Sequence, residues 1–183
     1  MRSANIPLSL YVHWPWCVRK CPYCDFNSHA LTSSCDPSHQ YIDALIHDLK
    51  HSIAYAQNRE LISIFIGGGT PSLIAPQELE RFLETVFSHF KIASDVEITL
   101  EANPGTVDTA HFKAYRSIGI NRLSMGIQSF NDELLKRLGR IHNSEDAHKA
   151  IKIAQESFEN FNLDVMFALP GQTLEELKFE LNE

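Results

Sequence analysis

The sequence predicts an α/β fold of parallel strands with outer helices. Two observations carry this. Short β-rich runs and amphipathic helical stretches alternate five times along the chain, the pattern of crossovers that join parallel strands. The residues with chemical character sit just after the β-rich runs, which is the functional face of β/α barrels. A third observation sets the size. The 183 residues suffice for one domain with its own core but fall short of the about 250 of a closed barrel. No repeat or linker divides them. The expectation is one domain over residues 1–183, either part of a longer protein or truncated at its C-terminus; as a complete chain it would leave an unpaired edge at its last strand.

The elements follow in order. Residues 8–13 read as a short buried strand between Pro7 and Pro15. Residues 31–38 are polar and turn-like. Over 41–56 the apolar residues Ile42, Leu45, Ile46, Leu49 and Ile53 fall on one helical face. Residues 61–66 form a β-rich run that stops at three glycines. Pro76 opens a helix, where its missing N–H costs nothing, with Leu79, Phe82, Leu83, Val86, Phe87 and Phe90 as its stripe. A third strand is expected over 96–100. A helix over 108–117 follows, burying Phe112 and Tyr115, with Gly119 as its C-terminal stop. A fourth strand over 122–125 leads to a short helix capped by Asn131 and ended by Gly139. A longer helix over 144–159 and a fifth strand over 163–167 complete the alternation. Thr173 and Glu176 form a capping box for a last helix.

Composition narrows the function classes. Hydrophobic content of 44% and charged content of 21% are globular values. A net charge of -7 disfavours a nucleic-acid partner. No apolar run approaches the ~20 residues of a membrane span, and the N-terminal stretch has no secretory cleavage pattern. A cytoplasmic location is expected, where clustered cysteines serve as metal or redox groups rather than disulfides.

Three of the four cysteines, Cys17, Cys21 and Cys24, form a C-x3-C-x2-C pattern. Three thiolates on one short loop suit three corners of a [4Fe–4S] cube and leave the fourth iron open. The bland alternative is a zinc loop or unligated thiols, but zinc sites generally pair two separated C-x2-C elements. Cys35 lies in a Ser/Asp/Pro turn region with no paired ligand beside it and is disfavoured as a fourth ligand. Tyr23, before the third cysteine, suits either an adenine ring or a dry shell around a cluster. Gly67-Gly68-Gly69-Thr70-Pro71 lets a ligand approach the backbone closely; read alone it is only a tight turn. Glu101, Gln128 and Asp164 stand at or near strand ends, and Arg140 lies between two helices. Their alignment on one face suits the hydroxyl, amino and carboxylate groups of a polar ligand. His47 and His51 have i, i+4 spacing but fall off the apolar stripe, so a solvated face is expected. His142 is read as a contact at the start of the following helix, with a proton donor or a haem-facing group as the alternatives.

These residues together resemble a known family. Tyr-Val-His-Trp-Pro-Trp-Cys, Cys-Pro-Tyr-Cys, Gly-Gly-Gly-Thr-Pro-Ser, Leu-Glu-Ala-Asn-Pro, Ser-Met-Gly-Ile-Gln-Ser-Phe, Leu-Gly-Arg-Ile-His and Leu-Pro-Gly-Gln-Thr look like the HemW/HemN group of radical S-adenosylmethionine (SAM) proteins. The resemblance runs from about Leu8 to the end of the chain. It implies a partial (β/α) barrel of radical SAM type with about five of six strands present. It implies cluster binding by Cys17, Cys21 and Cys24, with SAM as cofactor. By position in the motifs, Tyr11, Gly68 and Glu101 would contact the cluster-bound SAM. Tyr23, Gly69, Thr70, Gln128, Arg140 and Asp164 match residues that hold a second SAM in the oxidase.

Oxidase-type members carry a further cysteine two residues after the third ligand; here that position is Phe26. The resemblance therefore favours the haem chaperones of the group, with haem as cargo and respiratory proteins as its receivers. It leaves room for a reductant protein and for transient membrane association. The alternative it implies is an enzyme, an oxygen-independent coproporphyrinogen III oxidase.

Overall fold

The computed structural model describes residues 6–32, 36–106 and 108–183. It contains a sheet of five strands, all parallel, in the order β1 (Leu8–Trp14), β4 (Glu60–Gly68), β5 (Lys91–Ala102), β6 (Arg122–Gln128) and β7 (Phe161–Val165). A small parallel pair, β2 (Trp16–Cys17) and β3 (His29–Ala30), stands apart from it. The helices are α1 (Ser38–Ala56), α2 (Pro76–His89), α3 (Thr109–Ser117), α4 (Asp132–Arg137), α5 (Ser144–Ser157) and α6 (Leu174–Glu180). This is the expected α/β architecture, a partial β/α barrel. Cys35 lies outside the described residues.

The two faces of the sheet differ, because side chains alternate along a strand. One face carries Val12 and Trp14 of β1, Ile64 and Ile66 of β4, Ile98 and Leu100 of β5, and Leu123, Met125 and Ile127 of β6, all buried in one core. Against it pack Leu79, Phe82, Leu83 and Val86 of α2, Phe112 and Tyr115 of α3, and Ala147, Ala150 and Ala154 of α5. Neighbouring helices pack in sequence, α1 on α2, α2 on α3 and α3 on α5. The alternate positions face the other way and are largely polar, among them Ser9, Tyr11 and His13 of β1, Glu101 of β5, Ser124 and Gln128 of β6, and Asp164 of β7.

Several boundaries differ from expectation. The first helix starts at Ser38, where the Asp36 carboxylate accepts from both the Ser38 amide and hydroxyl at 2.9 and 2.6 Å. The third strand runs back to Lys91, because Ile92 pairs with Leu61 before a register shift. It also runs on to Ala102, where Glu101 and Ala102 pair with Ser124 and Met125, so Glu101 lies inside that strand rather than after it. The fourth strand extends to Gln128. The fifth spans Phe161–Val165, since Phe161 and Asn162 pair with Leu123 and Ser124, and Phe167 is left exposed. Phe87 is also exposed and Phe90 lies beyond the end of α2, so the apolar stripe narrows to four residues. The caps at Asn131 and Thr173 form as expected. His47 and His51 stay on a solvated face, with the His51 ring on the His47 carbonyl. No helix of the described residues is long and apolar enough to cross a membrane.

Two buried polar contacts tie the helices to the loops above the sheet. The Tyr115 hydroxyl of α3 lies 3.0 and 2.9 Å from the carbonyls of Ser72 and Ile74, in the turn after β4. The Glu180 carboxylate of α6 is buried and accepts from the Ser129 hydroxyl and, at 2.7 Å, from the Phe130 amide. Tyr115→Phe leaves both turn carbonyls without their donor. It is expected to cost about 1–3 kcal/mol, the range for stranded buried polar groups, read as a lowered urea midpoint at unchanged slope.

Candidate functional site

The cysteine loop is held at its stem. After β1, Pro15 turns the chain into β2, whose parallel pairing with β3 closes the loop. The His29 amide donates to Pro15 O at 2.7 Å and the Leu31 amide to Cys17 O at 2.9 Å. Inside the loop the Cys24 amide donates to Cys21 O at 3.1 Å. The Lys20 ammonium donates to Phe26 O at 3.0 Å. Cys17, Cys21 and Cys24 are all free thiols. Among the described residues, no three His, Cys, Asp or Glu side chains are grouped to hold one metal ion.

The glycine loop is built against this stem. The Gly69 amide donates to Trp14 O at 2.6 Å and the Thr70 amide to Trp16 O at 2.8 Å. A Cβ on Gly69 would lie 2.5 Å from Trp16 O, closer than any side chain permits. The Gly68 amide donates to the Glu101 carboxylate at 2.9 Å. The first need for glycine here is therefore close packing of two loops; the amides of Gly68, Gly69 and Thr70 all have partners within the protein.

Both loops open on one cavity of about 490 Å³, within the usual range for a ligand site. Of the predicted site residues, Cys17, Cys21, Cys24, Tyr23, Gly68, Gly69, Thr70, Glu101, Gln128, Arg140 and Asp164 all line it. Tyr11 does not. Its exposed hydroxyl bonds His13 Nδ1 at 3.1 Å and its ring stacks on Phe65, which does line the cavity. Phe26 stands at the lining with more than half its surface exposed.

The wall is charged in a mixed way. Burial pushes the Glu101 carboxyl up, helped by the nearby Asp164 charge and opposed by the Gly68 amide. Asp164 accepts from Ser124 Oγ at 3.2 Å and from Asn162 Nδ2 at 2.6 Å. Gln128 ends β6 in a left-handed conformation, φ 68°, a strained state for a non-glycine residue and one that clusters at functional sites. The Arg140 guanidinium donates to Gly126 O at 2.8 Å, while its buried Nε has no partner. Burial raises the Tyr23 phenol against the pull of Arg140. Acidic groups on one wall and an incompletely satisfied guanidinium on another suit a ligand carrying an ammonium, hydroxyls and a carboxylate. His142 turns away from this wall. It is buried, bonds Ile127 O at 3.0 Å, and burial lowers its pKa.

Sequence reasoning missed His13, Phe65, Ser124 and Arg19. Alternation was the available signal for the first three. Each lies two residues from a polar or aromatic residue on the same strand, as in Tyr11/His13, Ser63/Phe65 and Arg122/Ser124.

A sequence profile of the Radical SAM superfamily matches residues 11–181. The chain belongs to the radical SAM superfamily. Among curated relatives, the heme chaperone HemW of Escherichia coli (strain K12) is 52% identical over 178 residues, covering 97% of this chain and 47% of that protein. The heme chaperone HemW of Bacillus subtilis (strain 168) is 39% identical over 176 residues, covering 95% and 46%. Among solved structures, the radical SAM enzyme coproporphyrinogen III oxidase (HemN) from Escherichia coli superposes with a TM-score of 0.89 at 32% identity. It covers 99% of this chain and 42% of that one. The chain spans about half the length of the curated relatives it matches. Radical SAM membership implies a [4Fe–4S] cluster and SAM, and the three free thiols, the unpartnered Arg140 Nε and the acidic wall fit those groups.

A carboxyl whose pKa is raised on folding stabilises the fold below its unfolded pKa, and this contribution is lost as pH rises through the folded value. Glu101→Gln keeps an acceptor for the Gly68 amide and removes the ionisation. It is expected to raise the thermal midpoint of the cofactor-free radical SAM chain at neutral pH, with the gain vanishing near pH ~4, in melts followed at both pH values.

Proposed function

We propose that this chain is the radical SAM core of a haem chaperone, a [4Fe–4S] protein that binds SAM and hands haem to respiratory proteins. Cys17, Cys21 and Cys24 hold three irons of the cluster and leave the fourth open to SAM. Gly68 and Glu101 would contact the cluster-bound SAM, and Thr70, Gln128, Arg140 and Asp164 complete the polar wall. Gly69 seats the glycine loop on the cysteine-loop stem. Tyr11 acts at the rim, through Phe65 and His13. Tyr23 and Phe26 exclude water around the cluster loop. When bound, the cluster supplies the electron for reductive chemistry on SAM; the chain's own groups bind, orient and desolvate.

The observation that carries the chaperone over the enzyme is Phe26. It stands at the cavity wall where oxidase-type sequences have a cysteine. The 52% identity to a protein named heme chaperone HemW supports the same choice. The alternative, oxidative decarboxylation of coproporphyrinogen III, draws its support from the likeness to the HemN structure. Haem as cargo is supported by the name of relatives that are about twice as long, and respiratory proteins as receivers are what the motif resemblance implies, so haem binding is tested on a protein of the relatives' length.

Anaerobic reconstitution of the 183-residue chain is expected to give about four irons and four sulfides per chain. Cys21→Ser is expected to lose most of this iron, measured by colorimetric iron and sulfide assays. Incubation of the reconstituted protein with SAM, a reductant and coproporphyrinogen III is expected to give no protoporphyrinogen IX by chromatography. Product formation would favour the enzyme. Haem titration of the full-length protein is expected to show stoichiometric binding by absorbance, and no binding would sink the chaperone reading.

A further inference from the structure

The turn at Gly139 and Arg140 lies on the cysteine loop, although 120 residues of sequence separate it from Arg19. Arg19 Nε donates to Gly139 O at 3.1 Å, and its Nη2 donates to Gly139 O and, at 3.2 Å, to Arg140 O. Arg140 reaches back. Its Nη1 lies 3.7 Å from Cys21 Sγ and 3.5 Å from the Tyr23 hydroxyl. The Cys21 thiol is also 4.0 Å from Gly139 O. Pro22 fills the remaining space: a Cβ on Gly139, whose φ is 72°, would meet Pro22 Cδ at 2.7 Å. From residues 18–24, Arg19, Cys21 and Tyr23 are bonded to Gly139 or Arg140, while Lys20 and Cys24 bond within the wider loop, to Phe26 O at 3.0 Å and Ser28 Oγ at 3.8 Å.

The turn is itself well anchored. The amides of Gly139 and Arg140 donate to Lys136 O and Leu135 O at 3.0 and 2.9 Å, closing the end of α4. Leu134 and Leu138 pack with Leu169 in a small core of their own. Arg140 Nη2 on Gly126 O ties the turn to β6. The cysteine loop, by contrast, is fixed by backbone pairing only at its stem, where Cys17 sits on β2. The planar fork of Arg19 reaches two successive carbonyls at once, which a lysine ammonium does not reproduce.

We propose that Arg19 is a positioning residue: it clamps the tip of the cysteine loop onto the Gly139–Arg140 turn and so sets where Cys21 and Cys24 stand in the cavity. The inference rests on the reading of the three cysteines as cluster ligands. Its consequence is that cluster retention depends on a side chain at the cavity lining that is not itself a ligand.

The test uses the 183-residue chain with Arg19→Ala and Arg19→Lys. In cluster-free protein, alkylation by iodoacetamide is followed at each cysteine by peptide mass spectrometry. Arg19→Ala is expected to speed alkylation of Cys21 and Cys24 about fivefold, the scale of a lost hydrogen bond. Cys17, on β2, keeps the parent rate. Arg19→Lys is expected to fall between. After anaerobic reconstitution, release of iron to a chelator is expected to follow the same order. Equal Cys21 and Cys24 rates in parent and Arg19→Ala would overturn the clamp, and so would a common rise at all three cysteines, which marks general loosening. A parent protein that takes up no iron would instead sink the ligand reading, while the alkylation rates still decide the clamp.

Discussion

The rest of the site depends on the seating of the glycine loop on the stem of the cysteine loop. The amides of Gly69 and Thr70 reach the carbonyls of Trp14 and Trp16, and only a residue without a side chain lets the two backbones come so close. This contact fixes the end of β4 against the end of β1. It brings Gly68 within reach of the Glu101 carboxylate on β5. Three strand ends are thereby registered to one another, and the thiols are presented to the polar wall. Tyr115 supports the same arrangement from the helix layer, through the turn that follows the glycines.

A second constraint is the sidedness of the sheet. Parallel sheets with helices on both faces bury both and read as continuous apolar runs. Here the described helices pack on one face, and the other bears serines, carboxylates, Gln128 and aromatic rims around the cavity. Burial of the Glu101 carboxyl in such a wall has a cost, and it pushes the pKa of that group up. The strained backbone of Gln128 and the unpartnered Arg140 Nε are of the same kind. Together they make a wall that is incompletely satisfied until a ligand with complementary charge occupies it.

Much of this was legible in the sequence because it is local. Cysteine spacing, the three glycines, the caps at Asn131 and Thr173 and the apolar stripe of α2 each act over a few residues. What was not legible is made by contacts over long sequence separations. Arg19 on the Gly139 carbonyl, and Glu180 on the Ser129 hydroxyl and Phe130 amide, join residues that nothing in the local pattern connects. In the sequence three glycines signal room for a ligand, whereas in the fold their first partner is the Trp14–Trp16 backbone. The place of Tyr11 beside the lining residue Phe65, on which its ring stacks, is likewise set by strand pairing and not by local pattern. The start of β5 was missed because a register shift hides the pairing of Ile92 with Leu61 behind a polar interruption.

On the function proposed above, Cys17, Cys21 and Cys24 would hold a cluster with one iron left for SAM. Electron paramagnetic resonance of the reduced, reconstituted protein with and without SAM tests it most directly. The account predicts a [4Fe–4S] signal whose shape changes when SAM is added. A signal unaffected by saturating SAM, or a reconstituted protein that holds only a single zinc ion and no sulfide, would contradict it.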